Sequence, residues 1–240
     1  MPYIENPKTA GSGIICCIPQ SGRCPVNCDD CFFQSGRSYL EPLDENLPNM
    51  PTEDMAKDRV VRVNDGNDSS HDRDIVIADT EKYSMRFFNT SFVKEIETFP
   101  DPVVLTLNPA QMTDKDIHKL NPVPGNIMFL RFRANMWNMH LFEDAVSYYH
   151  KYKIPIVVTF MRYYEKDSIP SEWQNKYEYK KKIINSYWVL NDSGKFWWST
   201  LIEASQNQYG KDSILVCGDY CKDCGICLRT YFKTKENMRD

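Results

Sequence analysis

The sequence predicts an α/β protein built on a parallel sheet, and three observations carry that prediction. Six short apolar runs alternate with helical patterns. The runs are rich in valine, isoleucine and phenylalanine, as strands buried on both faces are, and each stops at small polar or charged residues. Strands that alternate with helices in this way form right-handed βαβ units. With 240 residues, 42% of them hydrophobic and 26% charged, the chain is long enough for one sizeable, well-filled domain.

The first run, residues 12–19, reads as a short buried strand with Cys16 and Cys17 on opposite faces, each either a small core hydrophobe or a ligand. It feeds Cys24-Pro-Val-Asn-Cys28-Asp-Asp-Cys31, where three thiols are separated by three and then two residues. Thiolates select soft metals, and one compact loop suits an iron-sulfur cluster better than zinc, which takes paired knuckles from two segments. Three ligands leave one iron open to a small molecule, so the loop reads as catalytic. Pro25 stiffens it, and Asn27 tolerates left-handed backbone angles.

Residues 39–50, rich in proline, asparagine and acids, make an irregular loop over this site, and Thr52 caps a helix that begins at Glu53. The second run, 59–63, leads straight into Asn64-Asp65-Gly66-Asn67-Asp68-Ser69, which is either a binding edge or a solvated turn. A helix over about 71–83 precedes the strand 86–91. A short helix near 92–98 precedes the strand 103–108, and a helix capped by Thr113 runs to about residue 120. The strand 127–133, a helix over about 141–152 and the strand 155–161 complete the series.

Polar residues recur where these strands stop: Asn64 and Asp65, Asn89 to Ser91, Thr106 and Asn108, Arg131 and Arg133, then Arg162 and Tyr163. A parallel barrel draws its catalytic groups from several strand ends, so this recurrence predicts a functional mouth. Arg131 and Arg133 alternate with Leu130 and Phe132 and therefore share one face. An inward arginine needs an anion, either a carboxylate or phosphate of a ligand or a neighbouring acid of the chain.

Beyond residue 163 the aromatics Tyr164, Trp173, Tyr177, Tyr179, Tyr187 and Trp188 interleave with Lys176 and Lys180 to Lys182. The stretch reads as an amphipathic helix that covers the open side of the sheet, with base stacking on nucleic acid as the other reading. Trp197 and Trp198 read as core. The tail then packs Cys217, Cys221, Cys224 and Cys227 into eleven residues. Four such thiols can supply every ligand of a second cluster or of a zinc ion, or leave one thiol free.

Nine cysteines are an odd number, and seven of them fall in the two ligand-spaced groups, which favours metal binding in a reducing compartment over disulfides. No stretch approaches the roughly 20 apolar residues of a membrane span, and no signal-peptide pattern opens the chain. The expectation is a cytoplasmic protein without a membrane partner. A net charge of −4 argues against a protein that coats nucleic acid.

The spacing C-x3-C-x2-C at Cys24, Cys28 and Cys31, placed after a short apolar strand, resembles the radical S-adenosylmethionine (radical SAM) superfamily. The six strand-helix units likewise resemble its partial (β/α)6 TIM-type barrel, with a small C-terminal cysteine-rich extension. On that resemblance residues 1–165 form the barrel core, 166–210 a helical cover and 211–240 an extension that binds an auxiliary cluster. The resemblance implies a 4Fe-4S cluster whose open iron chelates S-adenosylmethionine (SAM), and reductive cleavage to a 5′-deoxyadenosyl radical that abstracts a substrate hydrogen.

The family carries an aromatic just before its third cysteine; here Asp30 stands there, and Phe32 and Phe33 follow. SAM contacts are accordingly implied at Phe33 and at Asn64, Asp65, Gly66, Asn67 and Asp68, which stand where the family holds the methionine amino group. Further SAM contacts fall at Asn89, Ser91, Asn108, Arg131 and Met161, and substrate contacts at Arg133, Arg162 and Tyr163. The tail implies a second 4Fe-4S cluster, with zinc as the alternative. Electrons would come from a flavodoxin or ferredoxin. The substrate is a small molecule or nucleotide, with a peptide, a nucleic acid or a glycyl-radical partner as alternatives. The competing class is a non-enzymatic iron-sulfur or zinc protein acting as redox sensor or nucleic-acid binder.

Overall fold

A computed structural model describes residues 2–108, 117–118, 120–183, 185–218 and 220–238. All six expected strands are present: β1 (Ile14–Cys17), β2 (Val60–Val63), β3 (Arg86–Thr90), β4 (Val103–Leu107), β5 (Ile127–Ala134) and β6 (Ile156–Phe160). Two more strands, β7 (Tyr177–Lys180) and β8 (Tyr187–Leu190), pair with each other, and β9 (Ile214–Val216) joins the main sheet beside β6. The sheet runs β1-β2-β3-β4-β5-β6-β9, every pairing is parallel, and it curls into a half-barrel.

The helices are α1 (Leu43–Asn46), α2 (Glu53–Ala56), α3 (Arg73–Thr80), α4 (Met139–His150), α5 (Asp192–Tyr209), α6 (Cys221–Cys224) and α7 (Ile226–Asn237). Thr52 caps α2 as expected, its hydroxyl accepting from Met55 N at 3.3 Å. The short helix near Phe92 is reduced to a 3-10 turn at Ile96–Thr98. Most of the helix expected from Thr113 falls outside the described residues. No described helix is long and apolar enough to cross a membrane.

Strand parity separates the two faces of the sheet. Ile15, Val61, Val63, Phe88, Leu105, Leu130, Phe132 and Val158 point outward and pack under α3, α4 and α5 with Val76, Phe142 and Trp198. Ile14, Val60, Phe87, Val104, Phe129 and Val157 point inward. Cys16 and Cys17 are both fully buried, and Cys17 belongs to the outer core.

Two expectations are corrected. The cover region 166–210 is not helical throughout: 3-10 turns lead into the antiparallel hairpin β7-β8, and only α5 is a long helix. The period of two in Tyr177-Glu178-Tyr179-Lys180 decides this, because it puts Tyr179 opposite Trp188, their rings 5.3 Å apart. The tryptophan pair also divides: Trp198 is fully buried and donates its indole N–H to Asn135 O at 3.2 Å, while Trp197 is 55% exposed.

The tail lies inside the curl of the sheet. Ile226 and Tyr231 of α7 join the inner apolar layer, and Phe87 meets the Tyr231 ring at 6.4 Å. Gly13 permits this approach, since a Cβ there would stand 2.9 Å from Leu228 Cδ1. At the far end Lys235 Nζ reaches Asp101 Oδ1 at 2.9 Å, and the other Asp101 oxygen accepts from Arg86 Nε at 2.8 Å.

Candidate metal centre

The loop that carries Cys24, Cys28 and Cys31 crosses the C-terminal edge of the sheet. Gln34 Nε2 donates to Cys24 O at 2.8 Å, and Asn67 Nδ2, from the loop after β2, donates to Gly22 O at 3.2 Å. Asn27 and Asp30 take left-handed backbone angles, with φ of 46° and 51°, as a loop wrapped this tightly demands.

Cys24 is buried, and Cys28 and Cys31 are half-buried. Burial pushes the Cys24 thiol up to about 11. Cys28 is raised too, first by burial and then by Cys31, while a hydrogen bond from Asn108 and the charge of Arg133 oppose the rise. Among the described residues no group of three or more His, Cys, Asp or Glu side chains is gathered tightly enough to hold a metal ion. The fit to a cluster therefore rests on donor chemistry: soft, partly buried thiols on a loop at the mouth, near enough that Cys28 and Cys31 add to the rise at Cys24.

No protein-family model, curated protein or solved structure matches the chain. What the mouth can do is read from its own residues.

Phe33 packs with Ile18, Leu40, Leu43 and Leu47, and its ring lies directly against Gly66. Asp65 accepts from Asn6 Nδ2 at 2.6 Å and from the Tyr39 hydroxyl at 3.3 Å. Asp68 is buried and saturated: one oxygen accepts from Ser70 N and Thr90 Oγ1, the other from Ser91 N and Ser91 Oγ, all within 3.0 Å. Asp68 and Ser91 thus clamp the loops after β2 and β3 to each other. Asn64, at φ 60°, and Asn108 each keep a buried Oδ1 with no hydrogen-bond partner among the described residues. Both acceptors sit at strand ends, where a ligand N–H would satisfy them. Met161 is buried, its N–H donating to Ala134 O at 2.9 Å.

The two inner-face arginines part company. Arg133 acts on Cys28, Asp30, Tyr163 and Tyr164 and belongs to the mouth. Arg131, one layer deeper, donates to Asn89 Oδ1 at 3.0 Å and to Thr106 Oγ1 at 3.4 Å, and its charge bears on Cys217 and Cys227. Arg162 stacks on Tyr187 at 4.7 Å from the ring centroid. Tyr163 is buried and bonded through its backbone to Trp188.

Sequence reasoning passed over Arg62, Tyr39 and Asn6. The signal for Arg62 was present: a charge within Val60-Val61-Arg62-Val63, at the parity of the inner face. Nothing local in sequence announces that Asn6 and Tyr39 converge on Asp65, since they come from segments 59 and 26 residues away.

Proposed function

We propose that the chain is a radical SAM enzyme on a partial (β/α)6 barrel, with Cys24, Cys28 and Cys31 holding a 4Fe-4S cluster and the cysteine-rich tail holding a second metal centre. The observation that carries this reading is the meeting of Cys28 with Asn108 and Arg133, two strand-end residues of the sheet, because it puts the three-thiol loop over the mouth of a parallel half-barrel. When bound, such a cluster supplies the electron that cleaves SAM reductively, and the product radical abstracts a substrate hydrogen.

The chain's own groups bind and orient. Asn64 Oδ1 and Asn108 Oδ1 accept N–H donors of SAM, such as its amino groups. The Asp68 clamp holds the loop that presents Asn64, and Phe33 over Gly66 walls one side of the site against water. Arg133, which has no carboxylate within ion-pair distance among the described residues, is the group to bind an anionic substrate, a nucleotide phosphate or a carboxylate.

The test is anaerobic reconstitution with iron and sulfide, followed by SAM and dithionite. Release of 5′-deoxyadenosine and methionine supports the reading; iron-loaded protein that releases neither overturns it.

A further inference from the structure

Arg62 of β2 and Arg131 of β5 stand on the inner face, two residues past Val60 and Phe129 of the apolar layer. Neither has a carboxylate within ion-pair distance among the described residues. Arg62 Nε is buried without a hydrogen-bond partner among the described residues, and Arg131 donates to the neutral groups Thr106 and Asn89. Desolvation works against the Arg62 charge, while Cys16, the tail thiol Cys227 and Asp65 hold its pKa up; Asp65 acts from beyond ion-pair distance, its hydrogen bonds coming from Asn6 and Tyr39. Two inward cations without an ion-pair partner repel each other, and the cost shows at Arg131, whose pKa desolvation first and then the Arg62 charge pull below the usual range.

The tail brings thiols to these charges: Cys221 and Cys227 bear on Arg62, and Cys217 and Cys227 on Arg131. It leaves β9 with Cys217 N–H donating to Val158 O at 3.0 Å beside β6, and at the β1 side Cys221 N–H donates to Lys8 O at 2.9 Å. Beyond these anchors Cys224 and Cys227 settle on the inner apolar layer formed by β1 to β6. A Cβ at Gly218 would stand 3.3 Å from Cys224 Cβ, so the segment folds back on itself and sets Cys224 beside the residue that follows Cys217, although the four thiols are not drawn in to metal-binding distance.

We propose that Arg62 and Arg131 are positioning residues that balance the charge of an anionic tetrathiolate metal centre, formed by Cys217, Cys221, Cys224 and Cys227 inside the curl of the sheet. The proposal rests on the second-centre part of the function above and turns Arg131 away from SAM or substrate. An oxidised 4Fe-4S core on four thiolates and a zinc ion on four thiolates are both dianions. Two guanidiniums offset either one, whichever metal is held.

The full-length chain with Cys24, Cys28 and Cys31 all replaced by Ala isolates the tail, and anaerobic cobalt(II) titration reads thiolate-to-cobalt absorption. The parent is expected to bind one cobalt with tetrathiolate bands. Arg62→Met and Arg131→Met should each weaken binding about 10- to 100-fold, the range for outer partners of a metal site. Arg131→Lys, which keeps the charge, should restore most of the loss. Circular dichroism checks that each variant folds. Met variants that bind as tightly as the parent, Lys variants as weak as the Met variants, or a parent without thiolate bands would each overturn the proposal. SAM cleavage by the natural chain is measured separately, so failure of the mouth cluster and failure of this counter-charge are told apart.

Discussion

The Phe33 ring lies so close over Gly66 that a Cβ at Gly66 would stand 2.2 Å from Phe33 Cδ2. The thiol loop and the loop after β2 are therefore fitted to each other through a ring and an absent side chain. Gly66→Ala should overpack this contact and cost about 1–3 kcal/mol in urea unfolding of the metal-free chain. Phe33→Leu should recover part of the loss in the double variant, with a coupling of about 0.5–3 kcal/mol. Additive single effects would mean that the ring moves aside without cost.

Asp101 joins Arg86 at the base of β3 to Lys235 of α7. The Arg86 and Asp101 side chains are almost withdrawn from water, at 7% and 13% exposure. Removing the acid strands a buried cation, so Asp101→Ala should cost about 3–5 kcal/mol. Lys235 is more exposed, and Lys235→Met should cost about 1 kcal/mol or less. Thermal or urea unfolding of the two variants checks the order. Equal losses would show that the Lys235 contact, and with it the seat of α7, carries more than its exposure implies.

The strands were legible because buried parallel strands write themselves as valine-rich runs, and Val60-Val61-Arg62-Val63 or Ile156-Val157-Val158 admit few other readings. The polar strand ends were legible for the same reason: Asn64, Asn108 and Arg133 interrupt apolar runs at one edge. The β7-β8 hairpin is hard to read from sequence because four residues, 177–180, carry its alternation within a longer stretch of aromatics and lysines that also fits an amphipathic helix. The place of α7 was not legible at all. Its pattern gives an amphipathic helix, but that the helix fills the curl of the sheet follows from Gly13 leaving room for Leu228 and from Asp101 holding Lys235, contacts across more than 100 residues of chain.

Metal uptake should depend on pH in a direction fixed by the thiols. Burial holds Cys24 up to about 11, so near neutrality the thiol keeps its proton and a metal must displace it. Apparent affinity for ferrous iron should rise with pH, by up to about tenfold per unit for each proton released. The sign reverses for stability of the metal-free chain. A raised thiol pKa favours the fold fully below the unfolded value of about 8.5, and that contribution is lost as pH climbs from there to about 11. Cys24→Ala should flatten this alkaline loss in thermal melts; a slope unchanged by the substitution would exclude Cys24 as its source.

The two cysteine groups make separable predictions because the structure sets them at different depths: Cys28 at the mouth with Asn108 and Arg133, Cys224 on the inner apolar layer beside α7. Cys28→Ala removes a ligand of the cluster proposed to cleave SAM, so 5′-deoxyadenosine release should fall to background while the tail keeps its metal. Cys224→Ala should leave SAM cleavage running with product formation lost or uncoupled, because Cys224 lies away from the mouth and the proposed tail centre would serve the substrate or the returning electron. Liquid chromatography of 5′-deoxyadenosine and product, together with iron and zinc content of each variant, reads both outcomes. Complete loss of cleavage in a folded Cys224→Ala chain with its mouth cluster intact would make the tail part of the SAM-cleaving unit itself, and the division of labour between the two thiol groups would be wrong.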